Sequence, residues 1–146
     1  MFLRLKLMVA AVMAVFALVS CGPTSTSVAS NVVASADLNG GLPAKATIFY
    51  LTGTSKFNVA DYASLSTNPQ AALGADLLGT QSVLLSPGDT KTAARSFDGE
   101  GPAAVGVIVG FKAITSSQWR TSTPISGGKA NALTVSVGAG SVKISK

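Results

Sequence analysis

Histidine is absent from this chain, and cysteine occurs once, as Cys21. The first absence removes the usual general base at neutral pH, the commonest metal ligand, and every Ser-His-Asp or Cys-His arrangement. The second rules out an internal disulfide. Charge is scarce too: Asp, Glu, Lys and Arg make up 12% of the residues, and the basic ones stand singly, with no stripe and no interleaved aromatics. That pattern argues against nucleic-acid binding. "GGL", "GDT" and "SGGK" lack the spacing and the strand-to-helix setting of a phosphate-binding loop. The six carboxylates, Asp37, Asp61, Asp76, Asp89, Asp98 and Glu100, fall in expected loops or on an expected helix. Asp98 and Glu100 are close within "FDGEGP", which reads as a solvated Gly-rich turn. No Ser–Lys dyad is singled out. No catalytic residue, no metal site and no non-covalent cofactor is expected, so the chain reads as a binding or tethering module. With Trp119, Tyr50 and Tyr62 the only Trp and Tyr residues, the rival reading of a small-ligand or glycan binder has little aromatic material.

Long apolar runs are also missing, apart from one at the start. In "MFLRLKLMVAAVMAVFALVSC", Arg4 and Lys6 precede an uncharged run from Leu7 to Val19, and small residues lead into Cys21. That order is the layout of a secretory signal, and the run is shorter than the roughly 20 residues of a membrane-spanning helix. "LVSC" resembles a bacterial lipobox, in which the Cys thiol takes a diacylglycerol and the chain is cut just before it. Residues 1–20 are then a lipoprotein signal peptide and Cys21 an N-acylated, diacylglycerol-bearing first residue. In Gram-negative bacteria Gly22, rather than Asp, after that cysteine favours delivery to the outer membrane. Residues 21–27, including "GPTSTS", read as the acylated Cys and a flexible tether. Residues 28–146 read as one periplasmic domain, with nine basic against six acidic side chains once the leader is set aside.

What this domain has in plenty is Ser, Thr, Gly, Ala and Val, a composition suited to strands. Val28, Ser30, Val32 and Ala34 alternate with Ala29, Asn31, Val33 and Ser35, which predicts a first strand. "DLNGGLP" (37–43) is a turn and "KATIFYLTG" (45–53) a second strand. "SVLL" and "TKTAARSF" around "SPGD" predict a hairpin, with Pro87 and Gly88 suited to a type II turn. "AAVGVIVGF" (103–111) is apolar at every second position on both sides, so it predicts a central strand covered on both faces. "WRTSTPI" (119–125) is a further strand, and "NALTVSV-GAG-SVKIS" a closing hairpin. Residues 57–79 break this rhythm with helical spacing: Val59, Tyr62, Ala63 and Leu65 share one side, and Pro69 after Asn68 marks a helix start. The expected fold is mainly β: a two-sheet β-sandwich of about eight strands with a short helical insertion between strands 2 and 3.

An ordered set of stretches carries a resemblance. "FY-L" in the second strand is followed by Phe57, Asp61 and Tyr62. Leu73-Gly74, Asp76-Leu77-Leu78, the Pro87-Gly88 turn, Gly106-Val107, Phe111 and Gln118-Trp119-Arg120 come next, in that order. Together with the lipobox, the chain resembles the type VI secretion outer-membrane lipoproteins of the TssJ/VasD/SciN family. The resemblance implies a transthyretin-like sandwich, an outer-membrane lipid anchor at Cys21, and a non-enzymatic part in a multimeric trans-envelope complex. It implies as partner the periplasmic C-terminal part of the inner-membrane protein TssM. In the family the loop between the first two strands contributes to that contact, which maps here to Asp37, Leu38, Asn39, Gly40, Gly41 and Leu42. Leu38 and Leu42 are either exposed anchors for the partner or tucked onto the end of the sandwich. Trp119 is expected to pack at the core or an edge with Arg120 stacked on it.

Overall fold

The computed structural model describes residues 24–146. Alternation sets the first strand, β1 (Ser25–Ala34): Thr26, Val28, Ser30, Val32 and Ala34 all turn inward and are buried. β1 begins earlier than expected. Ser25, Thr26 and Ser27, assigned to the flexible tether, pair with Asp98, Phe97 and Ser96. Thr26 explains the difference, because its hydroxyl donates to the carbonyls of Gly99 (3.0 Å) and Glu100 (2.7 Å) and accepts from the N–H of Gly128 (2.8 Å). A hydroxyl that satisfies three backbone groups makes a polar residue a good strand start.

Seven more strands follow: β2 (Ala44–Leu51), β3 (Leu77–Leu85), β4 (Thr90–Asp98), β5 (Ala104–Val109), β6 (Arg120–Pro124), β7 (Ala130–Val137) and β8 (Val142–Ser145). They form two four-stranded sheets, ordered β4-β1-β7-β8 and β3-β2-β5-β6. All pairings are antiparallel except β1 with β7, which is parallel. The expected sandwich of eight strands, with helices between strands 2 and 3, is the one observed.

One connection differs from expectation. β3 and β4 flank the Pro87-Gly88 turn but lie in different sheets, so the segment is an arch and not a hairpin. The turn itself holds, with Gly88 at φ 83° and Asp89 N–H bonded to Ser86 O at 3.0 Å. Each arm finds a longer partner elsewhere: β3 pairs with β2 over eight positions, and β4 with β1 over nine. Arg95 lies over Tyr50 (5.6 Å to the ring) and Phe97 (5.0 Å) on this side, in space that a side chain at Gly79 would fill. Val137 opposite Val142 closes the expected β7–β8 hairpin.

The insertion consists of α1 (Ser55–Val59), α2 (Tyr62–Thr67) and α3 (Pro69–Leu73). Asp61 caps α2 by accepting from Ser64 N–H (2.7 Å), and Asn68 caps α3, whose first residue is Pro69. The helical face expected from Val59 to Leu65 does not form. Ala60 is extended and ends α1, which leaves Val59 83% exposed, Ala63 exposed and Leu65 buried.

Two apolar layers result. Val28, Val32, Ile48, Tyr50, Val107 and Val135 fill the space between the sheets. Phe49, Leu51, Phe57, Leu65, Leu73 and Ile108 form a second layer between the helices and the outer face of β2 and β5. Every residue of β5 is buried, as its unbroken apolar run predicts. Gly106 supplies the close approach: a Cβ there would lie 2.5 Å from the Phe57 ring.

Candidate interaction surface

The six residues of the β1–β2 loop share one end of the sandwich but face different ways. Asn39, Gly40 and Gly41 have φ of 48°, 66° and 92°, three consecutive left-handed residues that reverse the chain in little space. Leu38 is thereby driven into the core and is 0% exposed, whereas Leu42 is 48% exposed. Of the two arrangements left open by the sequence, Leu38 takes the packed one, filling the end of the intersheet layer, and Leu42 the exposed one. Asn39 is buried as well. Its Oδ1 accepts from Lys112 N–H (2.9 Å), and its Nδ2 donates to Pro43 O (3.1 Å). Asp37 stays exposed and its carboxylate accepts from the Ser35 hydroxyl (2.6 Å). The face available to another molecule is thus Asp37, Gly40, Gly41 and Leu42.

Asn39 couples this loop to the β5–β6 connection, a neighbour that sequence spacing did not reveal. A cavity of about 270 Å³ lies where the two meet the β7–β8 turn, lined by Asn39, Phe111, Lys112, Ser117 and Gly140. The Lys112 ammonium lies so close to Gly40 that a Cβ there would be 2.7 Å from it. The surface is therefore a composite of an exposed leucine, a carboxylate and a lysine on a pinned loop.

Trp119 and Arg120 form the expected stack, with the guanidinium 4.5 Å from the ring. Tyr62 meets the indole edge-on, with the ring centroids 5.4 Å apart. Arg120 Nη1 also donates to the carbonyls of Phe57 (2.9 Å) and Ala60 (2.6 Å), which fixes the end of α1 to β6. Burial lowers the pKa of this guanidinium, a shift that leaves it charged at neutral pH. Among the described residues no group of three or more His, Cys, Asp or Glu side chains comes together to hold a metal ion. The one S-x-x-K spacing, Ser126 to Lys129, lies in the β6–β7 loop with both residues exposed. Cys21 and the signal segment lie outside the described residues.

A family model described as "Type VI secretion lipoprotein, VasD, EvfM, TssJ" matches residues 26–140. The chain belongs to this family. Among solved structures it is similar to the T6SS lipoprotein TssJ1 from Pseudomonas aeruginosa, with 25% identity, a TM-score of 0.74, and 85% of this chain and 96% of that one covered. It also shares its fold with Serratia marcescens Lip, a membrane-bound component of the type VI secretion system (20% identity, TM-score 0.69, 86% and 98% covered). A chain in the structure of the T6SS protein TssM C-terminal domain from EAEC has the fold too (20% identity, TM-score 0.65, 81% and 99% covered). No curated protein matches the chain. The match runs from the second residue of β1 to the β7–β8 turn and includes the helical insertion.

Proposed function

We propose that this type VI secretion lipoprotein is a non-enzymatic anchor of the outer-membrane end of the secretion complex. Acyl chains on Cys21 hold it in the outer membrane, and the β1–β2 end binds the periplasmic C-terminal domain of a TssM-like inner-membrane protein. Each buried CH₂ contributes about 0.8 kcal/mol to membrane attachment, so two or three chains retain the protein firmly.

The observation that carries this reading is the start of β1 at Ser25, with Thr24 O already bonded to Gly99 N–H at 2.7 Å. Few residues then separate Cys21 from rigid structure, a reach of roughly 10 Å. β1 runs from that end to the β1–β2 loop, so a sandwich held at Cys21 presents Leu42, Asp37 and Lys112 away from the lipid. Family membership and the fold shared with a chain in the TssM-domain structure support the choice of partner. The glycan-binder reading gains nothing from Trp119, Tyr50 and Tyr62, which pack within the protein.

Fractionation of cells carrying Cys21→Ser tests the anchor: the folded protein should leave the outer-membrane fraction, and retention there would refute lipid attachment at this residue. Titration of the TssM-like periplasmic domain with Leu42→Asp tests the partner face. Undiminished binding would move the contact elsewhere.

A further inference from the structure

Asn39 and Gly40 form the one Asn-Gly pair in the chain; the other asparagines, Asn31, Asn58, Asn68 and Asn131, precede Val32, Val59, Pro69 and Ala132. An asparagine followed by glycine is chemically labile in water. Glycine has no side chain to keep its backbone nitrogen away from the asparagine Cγ, and its backbone turns freely into the geometry that attack requires. A β-branched residue or a proline in that place hinders or forbids the same approach.

In the folded loop every group needed for that attack is engaged elsewhere. The nucleophile, Gly40 N–H, donates to Asp37 O (3.0 Å). The leaving group, Asn39 Nδ2, donates to Pro43 O (3.1 Å), and Oδ1 accepts from Lys112 N–H (2.9 Å). The backbone of Asn39 is fixed at φ 48° and ψ 35°, with its own N–H on Gly138 O (3.3 Å) and Gly41 N–H on Leu38 O (2.8 Å). The Asn39 side chain is 4% exposed. Bringing Cγ onto Gly40 N therefore breaks three hydrogen bonds and takes a buried amide out of its place, which amounts to opening the loop.

We propose that Asn39–Gly40 is a site of spontaneous deamidation, held closed by the folded loop and opened when the loop unfolds. In the open chain Gly40 N gives up its proton and forms a bond to Asn39 Cγ. The Cγ–Nδ2 bond breaks, and Nδ2 leaves with a proton as ammonia. The product is a succinimide, and water then adds to either of its carbonyls. Opening at Cγ leaves an aspartate at this position. Opening at the backbone carbonyl leaves an isoaspartate, with the chain running through Cβ and Cγ. One water is consumed and one ammonia released, with no oxidation or reduction. Both products replace the Nδ2 donor to Pro43 O by an oxygen and add a charge at a buried position, and the isoaspartate also lengthens the backbone of a tight turn. A buried carbonyl left without its donor, next to a buried charge, opposes closure, so the reaction marks a chain that has lingered unfolded. The chemistry is independent of the TssM reading and stands or falls without it.

The test holds the full chain in mildly alkaline buffer, folded in detergent micelles in one sample and unfolded in guanidinium chloride in another, beside the peptide acetyl-Asp-Leu-Asn-Gly-Gly-Leu-Pro-amide. Released ammonia, mass mapping and isoaspartyl methyltransferase labelling follow the reaction at each asparagine. Asn39 should react in denaturant at close to the rate of the peptide, and at least tenfold more slowly in the folded chain. In denaturant the other four asparagines should lag Asn39 at least tenfold. Chain aged in denaturant is then refolded, and its isoaspartyl fraction, separated by charge, should melt about 4–12 °C below the unmodified chain or fail to refold. Equal rates at Asn39 in the folded and unfolded samples, faster reaction at another asparagine in denaturant, or an isoaspartyl fraction that melts with the parent would each overturn the proposal.

Discussion

Leu38 and Leu42 sit in one loop and should respond to substitution in opposite ways. Leu38 is fully buried between the sheets, so Leu38→Ala loses the transfer free energy of its side chain and leaves a cavity. Such changes cost about 2–5 kcal/mol. For a domain of about 120 residues, each kcal/mol moves the melting temperature by about 4 °C. Leu38→Ala should therefore lower it by about 8–20 °C. Leu42 is 48% exposed and already half in water. Leu42→Asp should stay within about 0.5 kcal/mol of the parent, or about 2 °C. Binding should show the reverse order. An apolar anchor at the centre of an interface is worth about 2 kcal/mol or more, close to thirtyfold in affinity. The assays are calorimetric melting of the full chain in detergent, and titration with the TssM-like periplasmic domain at a temperature where both variants are folded. A large melting loss in Leu42→Asp would refute the burial argument. A binding loss confined to Leu38→Ala would refute the division of labour within the loop.

Other expectations follow from single buried groups. The Ser30 hydroxyl is buried without a hydrogen-bond partner among the described residues, so Ser30→Ala should raise stability by about 1 kcal/mol in chemical denaturation; a loss would reveal a bond to that hydroxyl. Arg120→Ala unstacks Trp119, the only tryptophan, and frees the carbonyls of Phe57 and Ala60. Its fluorescence should shift to the red, and Arg120→Lys should not restore it, because an ammonium lacks the planar fork. Burial raises the Tyr50 pKa, partly opposed by Arg95. Its contribution is full below pH of about 10 and lost as pH rises through the higher folded value. Alkaline unfolding should lose that component in Tyr50→Phe, and an unchanged alkaline limb would contradict it. The Asp61 pKa is lowered by the Ser64 backbone N–H and then by its hydroxyl. Its cap is therefore complete above the ordinary carboxylate value near pH 4 and lost as pH falls through the lower folded one. Amide protection in α2 should fall with acid before that in β5, and simultaneous loss would argue against a local cap.

Much of the fold is legible in the sequence because period-two alternation and turn residues are local signals. β1, β2, β5, β7 and β8 follow from them, as does the Asn68-Pro69 helix start. Pairing is not local. The Pro87-Gly88 turn is correctly placed, yet no residue near it says whether its arms pair with each other or with β2 and β1. Thr26 looks like tether because its value as a strand residue comes from Gly99, Glu100 and Gly128, all distant in the chain. In the β1–β2 loop, composition marks a tight turn but cannot say which leucine turns inward. That is decided by the left-handed run at Asn39, Gly40 and Gly41 and by the bond from Lys112 N–H to Asn39.

β1 occupies an inner position in its sheet, between β4 and, in parallel register, β7, with Ser27 opposite Ala130. This arrangement sets an order of events as the chain emerges N-terminus first at its site of folding. When residues 25–34 emerge, one flank has no partner until residues 90–98 appear, and the other waits for residues 130–137. Pairings so distant in sequence close slowly, and a strand left open on either side is prone to wrong associations. A chain stopped short of Val137 would retain every residue of the β3-β2-β5-β6 sheet and still lack a complete partner for its first strand. The segment closest to Cys21 is thus among the last to be secured.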